Sequence, residues 1–362
     1  MQETESRTIL FNRDPSLQEM QSIGVLQKGT LQSSKNLKPT MLNQSYKISV
    51  WSIVALLACI VGCTNSTSND SANAGITVIA TTGQIHSALQ HIVEGTPTTL
   101  KLFCGPGVDP HSFSASFNDV QAMVDADLIV YNGYHLEAKL DEHLHGTFKE
   151  KSWSMASAFP TSNRLDWVED GKTDPAAPFD PHVWNDLPGW AKSVQALTDH
   201  LVEIDGQHAA LYRENSTKYI AKLKETHQWA KSKLDKIPED RRTIISAHDA
   251  FGYFAKNYGM KTSAPLGVSN DAEADIQKIR EIAQLICQEK IPAIFLETIT
   301  NAQVTRSLSE ACEARGWKVN IVQQPLYSDD LGESAPYNTF LGAFRSNVNV
   351  IFAALSNEED AE

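Results

Sequence analysis

The chain has 362 residues, 41% of them hydrophobic and 21% charged, and a formal net charge of −13. That balance suits globular folding with enough length for two domains and a substantial core. It argues against a nucleic-acid binder, which needs a basic face, and it is compatible with attracting cations.

In chain order, residues 1–40 are polar and unlike a secretory leader, and Met41 stands where such a leader should begin. Residues 48–61 (ISVWSIVALLACIV) form an apolar run preceded by Lys47. The run falls short of the roughly 20 residues a membrane-spanning helix needs and has the size of a secretory signal core. It closes on Ile60-Val61-Gly62-Cys63, which resembles the bacterial lipobox. The resemblance implies cleavage before Cys63 and diacylation of that cysteine, and two acyl chains give a stable membrane anchor. Residues 1–62 are therefore expected to be an upstream segment plus signal peptide. Residues 63–74 are the lipidated cysteine and a Ser/Thr/Asn-rich tether.

The remaining chain alternates apolar runs with helical patterns, the rhythm of an α/β protein with parallel sheets. Residues 76–80 and 98–103 read as strands flanking a helix at 84–93. The second strand delivers the chain to Gly105-Pro106-Gly107 and to Asp109-Pro110-His111. Ser116 and Asp119 form a capping box that starts a helix. Residues 128–131 are a strand ended by Asn132-Gly133. Residues 145–181 read as mostly loop with one short strand. They lead to a second Asp180-Pro181-His182 and a helix at 188–204.

Residues 207–236 carry the longest helical pattern, with Leu211, Tyr219, Leu223, Trp229 and Leu234 as its apolar positions. About thirty helical residues extend about 45 Å, more than one small lobe needs, so this helix is read as a connector between two lobes, with a long surface helix within one domain as the alternative. The α/β rhythm then resumes, with strands at 243–246, 293–296 and 318–322. Helices are expected at 250–258, 275–289, 304–315 and 337–355. The expected lobes are 75–206 and 237–362. Cys104, Cys287 and Cys312 remain in the body; the last two sit in apolar helical patterns and read as buried free thiols, with a Cys287–Cys312 disulfide as the alternative.

Proline stiffens each Asp-Pro-His segment, so both histidines stand on constrained backbone. Ligands in open α/β sheets bind beyond the carboxyl ends of the strands. His111 follows the strand at 98–103, His248 follows the strand at 243–246, and Asp329 follows the strand at 318–322. His182 opens the helix before the connector. Three imidazoles and one carboxylate make a sensible shell for a divalent transition metal, and a bound dication leaves it near +1. Two roles are open for Asp180. It caps the following helix, with Pro181 at the first helical position and His182 in the first turn, or it holds the far ring nitrogen of His182; Asp109 has the same second option toward His111. Asp330 competes with Asp329. His86, His91, His200, His208 and His227 lie on helical patterns and read as surface residues. His135, His143 and His145 read as surface loop, with a weak accessory cluster as the alternative.

These segments resemble a known family. Gly105-Pro106-Gly107-Val108-Asp109-Pro110-His111, residues 126–133 (ADLIVYNG), Asp180-Pro181-His182-Val183-Trp184, residues 246–254 (SAHDAFGYF), residues 271–275 (DAEAD) and residues 327–332 (YSDDLG) are similar to the bacterial zinc/manganese solute-binding proteins, solute-binding protein family 9. These are the receptors of metal-importing ABC transporters. The resemblance implies a two-lobed fold joined by one long helix and a metal buried between the lobes. It implies the ligands His111, His182, His248 and Asp329, with Mn2+ or Zn2+ as cargo. The partners it implies are an ABC permease with its ATPase, on the outer side of the cytoplasmic membrane. The receptor is expected to be a lipid-anchored monomer and not an enzyme. The rival reading is a secreted zinc metalloenzyme, for which Glu297 is the nearest candidate base; otherwise Glu297 supports the site. A metal-containing adhesin is a third reading.

Overall fold

The computed structural model describes residues 75–169, 172–173, 175, 177–269 and 275–356. The leader, Cys63, the tether and residues 271–274 of the family-like segment 271–275 lie outside the described residues. No helix among the described residues is long and apolar enough to cross a membrane.

The first half is built on a four-stranded parallel sheet in the order β2-β1-β3-β4. Its strands are β1 (Thr77–Thr82), β2 (Thr99–Cys104), β3 (Leu128–Tyr131) and β4 (Ser152–Ser154). Helix α1 (Gly83–Ile92) links β1 to β2, and α2 (Phe117–Asp125) links β2 to β3. The Ser116 capping box forms with both halves in place. The side-chain alternation of β1 explains why the sheet is covered on both faces. Val78 and Ala80 face one apolar cluster, while Ile79 faces a second with Phe103, Met123, Ile129 and Phe148.

The stretch 145–181 holds more structure than one strand. Besides β4, it contains a two-stranded hairpin, β5 (Val168–Glu169) with β6 (Lys172–Thr173), and several short 3-10 turns. Short polar elements of this kind carry no apolar periodicity, so they leave little trace in a sequence.

Helix α3 (Leu187–Ile204) follows, capped by Asp186 with a proline in its first turn. Helix α4 (Ala209–Leu234) has 26 residues and spans about 39 Å. Its buried stripe is Tyr212, Ser216, Tyr219, Leu223, Thr226, Ala230 and Leu234, a 3–4 spacing that keeps one face inward. Leu211, counted as apolar face from the pattern, is instead 39% exposed, and Tyr212 takes its place in the core.

The second half has two parallel pairs, β7 (Thr243–Ile245) with β8 (Lys261–Ser263), and β9 (Ala293–Glu297) with β10 (Asn320–Leu326). Strand β7 lies alongside β9. The helices are α5 (Gly252–Tyr258), α6 (Ile276–Glu289), α7 (Ala302–Glu313) and α8 (Phe340–Leu355). Strand β8 reads Lys-Thr-Ser and has no hydrophobic alternation to announce it. Alternation sorts the second half as well. Ile244 and Phe295 join the cluster of Val78, whereas Ile245 and Ile294 join a separate one with Ile282, Leu308 and Cys312. The first cluster is continuous from β1 through α3 and α4 to α8. The fold is thus two α/β lobes with parallel strands, joined along the long helix α4. Cys104, Cys287 and Cys312 are free thiols; Cys287 is half-buried rather than buried.

Candidate metal centre

Parallel strands send their carboxyl ends to one edge, and three of the four candidate ligands stand on loops leaving such ends. His111 follows β2, His248 follows β7, Asp329 follows β10, and His182 lies on the segment entering α3. One ligand atom from each of the four falls within 4.8 Å of every other, and all four residues are buried. Asp329 sits at the middle. Its Oδ2 is 3.5 Å from His111 Nε2 and 3.1 Å from His248 Nε2, and its Oδ1 is 3.4 Å from His182 Nε2. A tetrahedral shell with bonds of about 2.1 Å has ligand–ligand edges of about 3.4 Å, so these separations match a first-row metal shell. The Nε2 atoms of His111 and His182 are buried without a hydrogen-bond partner, as ligand nitrogens aimed at a cation would be.

The far sides of the rings are held by acidic residues. His182 Nδ1 is 2.7 Å from Asp180 Oδ1, which also accepts the His182 backbone N–H at 2.9 Å. His248 Nδ1 is 2.5 Å from Glu297 Oε2, while Glu297 Oε1 accepts the N–H groups of Ala247 and His248. Such carboxylates fix the tautomer and turn Nε2 toward the metal. Asp109 accepts the backbone N–H of His111 at 2.9 Å, and that backbone contact is its role here rather than a hold on the ring.

The helix-cap reading of Asp180 is overturned. His182 precedes a 3-10 turn, Val183–Asn185, and the α3 cap is Asp186, whose carboxylate accepts the Gly189 N–H at 3.0 Å. A helix dipole therefore does not act on His182 from its own first turn. The Asp180 carboxylate is engaged by His182 itself, and a Cβ on Gly252 would lie 2.9 Å from Asp180 Oδ2, so position 252 has to be glycine-sized. Tyr253 reinforces the segment by donating from its hydroxyl to Asp180 O at 3.0 Å.

Charge follows the geometry. Burial opposes a positive charge on His182 and on His248, yet neighbouring carboxylates outweigh it and raise both pKa values. Asp329 and Asp180 act on the first, Glu297 and Asp329 on the second. Burial also opposes the Asp329 charge, but His248 and His182 outweigh it and hold the carboxyl well below the usual carboxylate range.

Asp330 is not brought to the imidazoles. Its Oδ2 accepts the Gly107 N–H at 2.8 Å, and the Thr298 hydroxyl donates to Oδ1. Burial raises its pKa. His135 and His145 both approach Asp141, at 2.9 and 3.7 Å, on the surface; these residues form no converging metal cluster among those described. His86, His91, His200, His208 and His227 are half-buried rather than solvated. Among them, His91 bonds to Ser87 O, His208 to Asp205 and His227 to the Tyr258 hydroxyl.

One supporting residue carries no sequence signal. Glu137 is buried and accepts the Thr81 hydroxyl and the Asn132 and Gly133 N–H groups; Asn132 in turn donates to Pro181 O at 2.8 Å, next to His182.

Comparison with known proteins identifies metal-binding relatives. A family described as zinc-uptake complex component A, periplasmic, matches residues 78–354. The manganese-binding lipoprotein MntA of Bacillus subtilis is 34% identical over 298 residues, covering 82% of this chain and 95% of that protein. The zinc-binding protein TroA of Treponema pallidum is 35% identical over 309 residues, covering 84% and 97%. The solved structure of periplasmic TroA superposes with a TM-score of 0.73 at 34% identity, covering 78% of this chain and all of that one. An Fe(III)-bound YtgA of Chlamydia trachomatis gives a TM-score of 0.70 at 25% identity, covering 78% and 98%.

Proposed function

The chain belongs to the family of periplasmic zinc-uptake component A proteins, receptors rather than enzymes, and on that premise we propose that it captures Mn2+ or Zn2+ for a metal ABC transporter. His111, His182, His248 and Asp329 bind the ion, and a permease with its ATPase receives it. The observation that carries this reading is the convergence of four buried donors from four distant segments on one point. Three imidazoles and one carboxylate accept both ions, since imidazole suits zinc and carboxylate oxygen suits manganese. A metalloenzyme needs an open coordination position and a base. Here Glu297 is occupied by His248 and two backbone amides, which leaves it a support for the ligand and not a base.

The receptor acts as a monomer outside the cytoplasmic membrane, held by lipid on Cys63 after removal of residues 1–62. Its lobes comprise 75–206 and 237–362, with 207–236 as connector. The test is metal analysis of protein purified without chelator, followed by calorimetric competition between Mn2+ and Zn2+. One ion per chain is expected, and His182→Ala should weaken binding by about tenfold or more. Wild-type affinity in His182→Ala would overturn the assignment.

A further inference from the structure

Hydrogen bonds across the cleft are unevenly shared between the two first-lobe histidines. The segment bearing His182 is tied to the second lobe at several places. Trp184 Nε1 donates to Ser328 O at 3.1 Å, Asn185 Nδ2 donates to Ala250 O at 2.9 Å, and the Tyr253 hydroxyl donates to Asp180 O at 3.0 Å. The segment bearing His111, apart from the imidazole itself, has one such bond among the described residues: Gly107 N–H to Asp330 Oδ2 at 2.8 Å.

The surroundings of that bond are open on one side and fixed on the other. Gly107 has φ +74°, and a Cβ added at Gly105 or Gly107 would meet nothing within 4 Å. A crevice of about 220 Å³ lined by Gly105, Pro106, Leu331 and Gly332 runs between this loop and the one after Asp330. Asp330 itself is only 3% exposed, and the Thr298 hydroxyl orients its other oxygen. An exposed Gly-Pro-Gly turn is thus tied to the second lobe through a rigidly held carboxylate, four residues before a metal ligand, while Val108 and Phe113 of the same segment pack on the first lobe.

We propose that Asp330 is a positioning residue that latches the His111 loop over the metal. Metal passes in and out when the Gly107–Asp330 bond opens and the loop carries His111 away, while His182, His248 and Asp329 stay in place. Asp330 is not a ligand, because its two oxygens are directed at Gly107 and Thr298. The inference rests on the four-ligand reading above.

The test measures release of Mn2+ and of Zn2+ from loaded full-length body protein by stopped-flow transfer to excess chelator. Loss of a hydrogen bond to a buried carboxylate should speed release in Asp330→Ala on the order of tenfold, with one ion still bound per chain. Asp330→Asn keeps an acceptor oxygen for Gly107 and should recover most of the slow release. Should Asp330→Ala not fold, Thr298→Val frees the same carboxylate from its orienting hydroxyl and should also speed release. Release at the wild-type rate in the folded variants overturns the latch. A wild-type protein that holds no metal would instead overturn the ligand assignment.

Discussion

Glu137 and Glu297 do the same work in opposite lobes. Each is a buried carboxylate that accepts two consecutive backbone N–H groups just beyond a strand end, Asn132 and Gly133 for the first and Ala247 and His248 for the second. Glu297 also reaches a ligand ring directly, whereas Glu137 acts at one remove, through the Asn132 side chain and Pro181 O.

The pair should therefore separate on mutation. Glu297→Gln removes the charge behind His248, so metal affinity should fall by about 10- to 100-fold. Glu137→Gln presents an amide to two N–H donors and should chiefly destabilise the fold, by about 1–3 kcal/mol. Chelator competition and thermal unfolding on both variants check this; equal effects on affinity would show that the direct contact to the ring has no special weight.

Metal binding should weaken as pH falls, because protons and metal compete for the same lone pairs. Before metal arrives, His182 and His248 have raised pKa values and Asp329 a lowered one. The histidine contribution to stability is fully present below an unfolded pKa of about 6.5 and is lost as pH rises through the raised folded values. The Asp329 contribution is present above about 3.9 and is lost as pH falls through its lowered value. The metal-free protein thus gains most from this cluster in weak acid. Metal has fewer protons to expel at higher pH, so the rise in unfolding temperature on adding Zn2+ or Mn2+ should grow from about pH 5.5 to 8. A shift that is constant across that range would contradict proton competition.

Leu223 lies at the middle of the buried stripe of α4 and is fully buried. Leu223→Ala should cost about 2–5 kcal/mol through lost burial and a residual cavity. Metal stoichiometry should stay at one in the folded fraction, since Leu223 is on a helix that supplies no ligand. Denaturant unfolding with and without metal measures both quantities.

On the proposed lipidation of Cys63, Cys63→Ala should move the protein from the membrane fraction to the soluble fraction, because two acyl chains are lost together. Fractionation of cells producing either form reads the result; continued membrane retention would assign the anchor elsewhere.

Much of this was legible in the sequence because strong periodic signals mark the strands and helices that carry the site. The strand 128–131 and the capping box at Ser116 appear where expected, and His111, His182, His248 and Asp329 converge. The Asp-Pro-His turn at 180–182 resembled a helix start because aspartate and proline have the same preferences in both settings. What decided between them was a tertiary contact, the Asp180 carboxylate turning back to His182 Nδ1. The contacts of Glu137 with Thr81 and of Asp330 with Gly107 were illegible for the same reason, since the partners lie far apart in the chain.

The uninterrupted apolar core from β1 to α8 bears on how a transporter distinguishes a charged receptor from an empty one. Swinging the halves apart like jaws would expose that core to water, so a wide opening is costly. A receptor that opens only a little would give a permease little silhouette to read. Discrimination would then fall on surface features a few residues wide around the mouth of the cleft, and with the His111 loop latched as proposed, a docking partner that senses them would need only enough work to shift that loop.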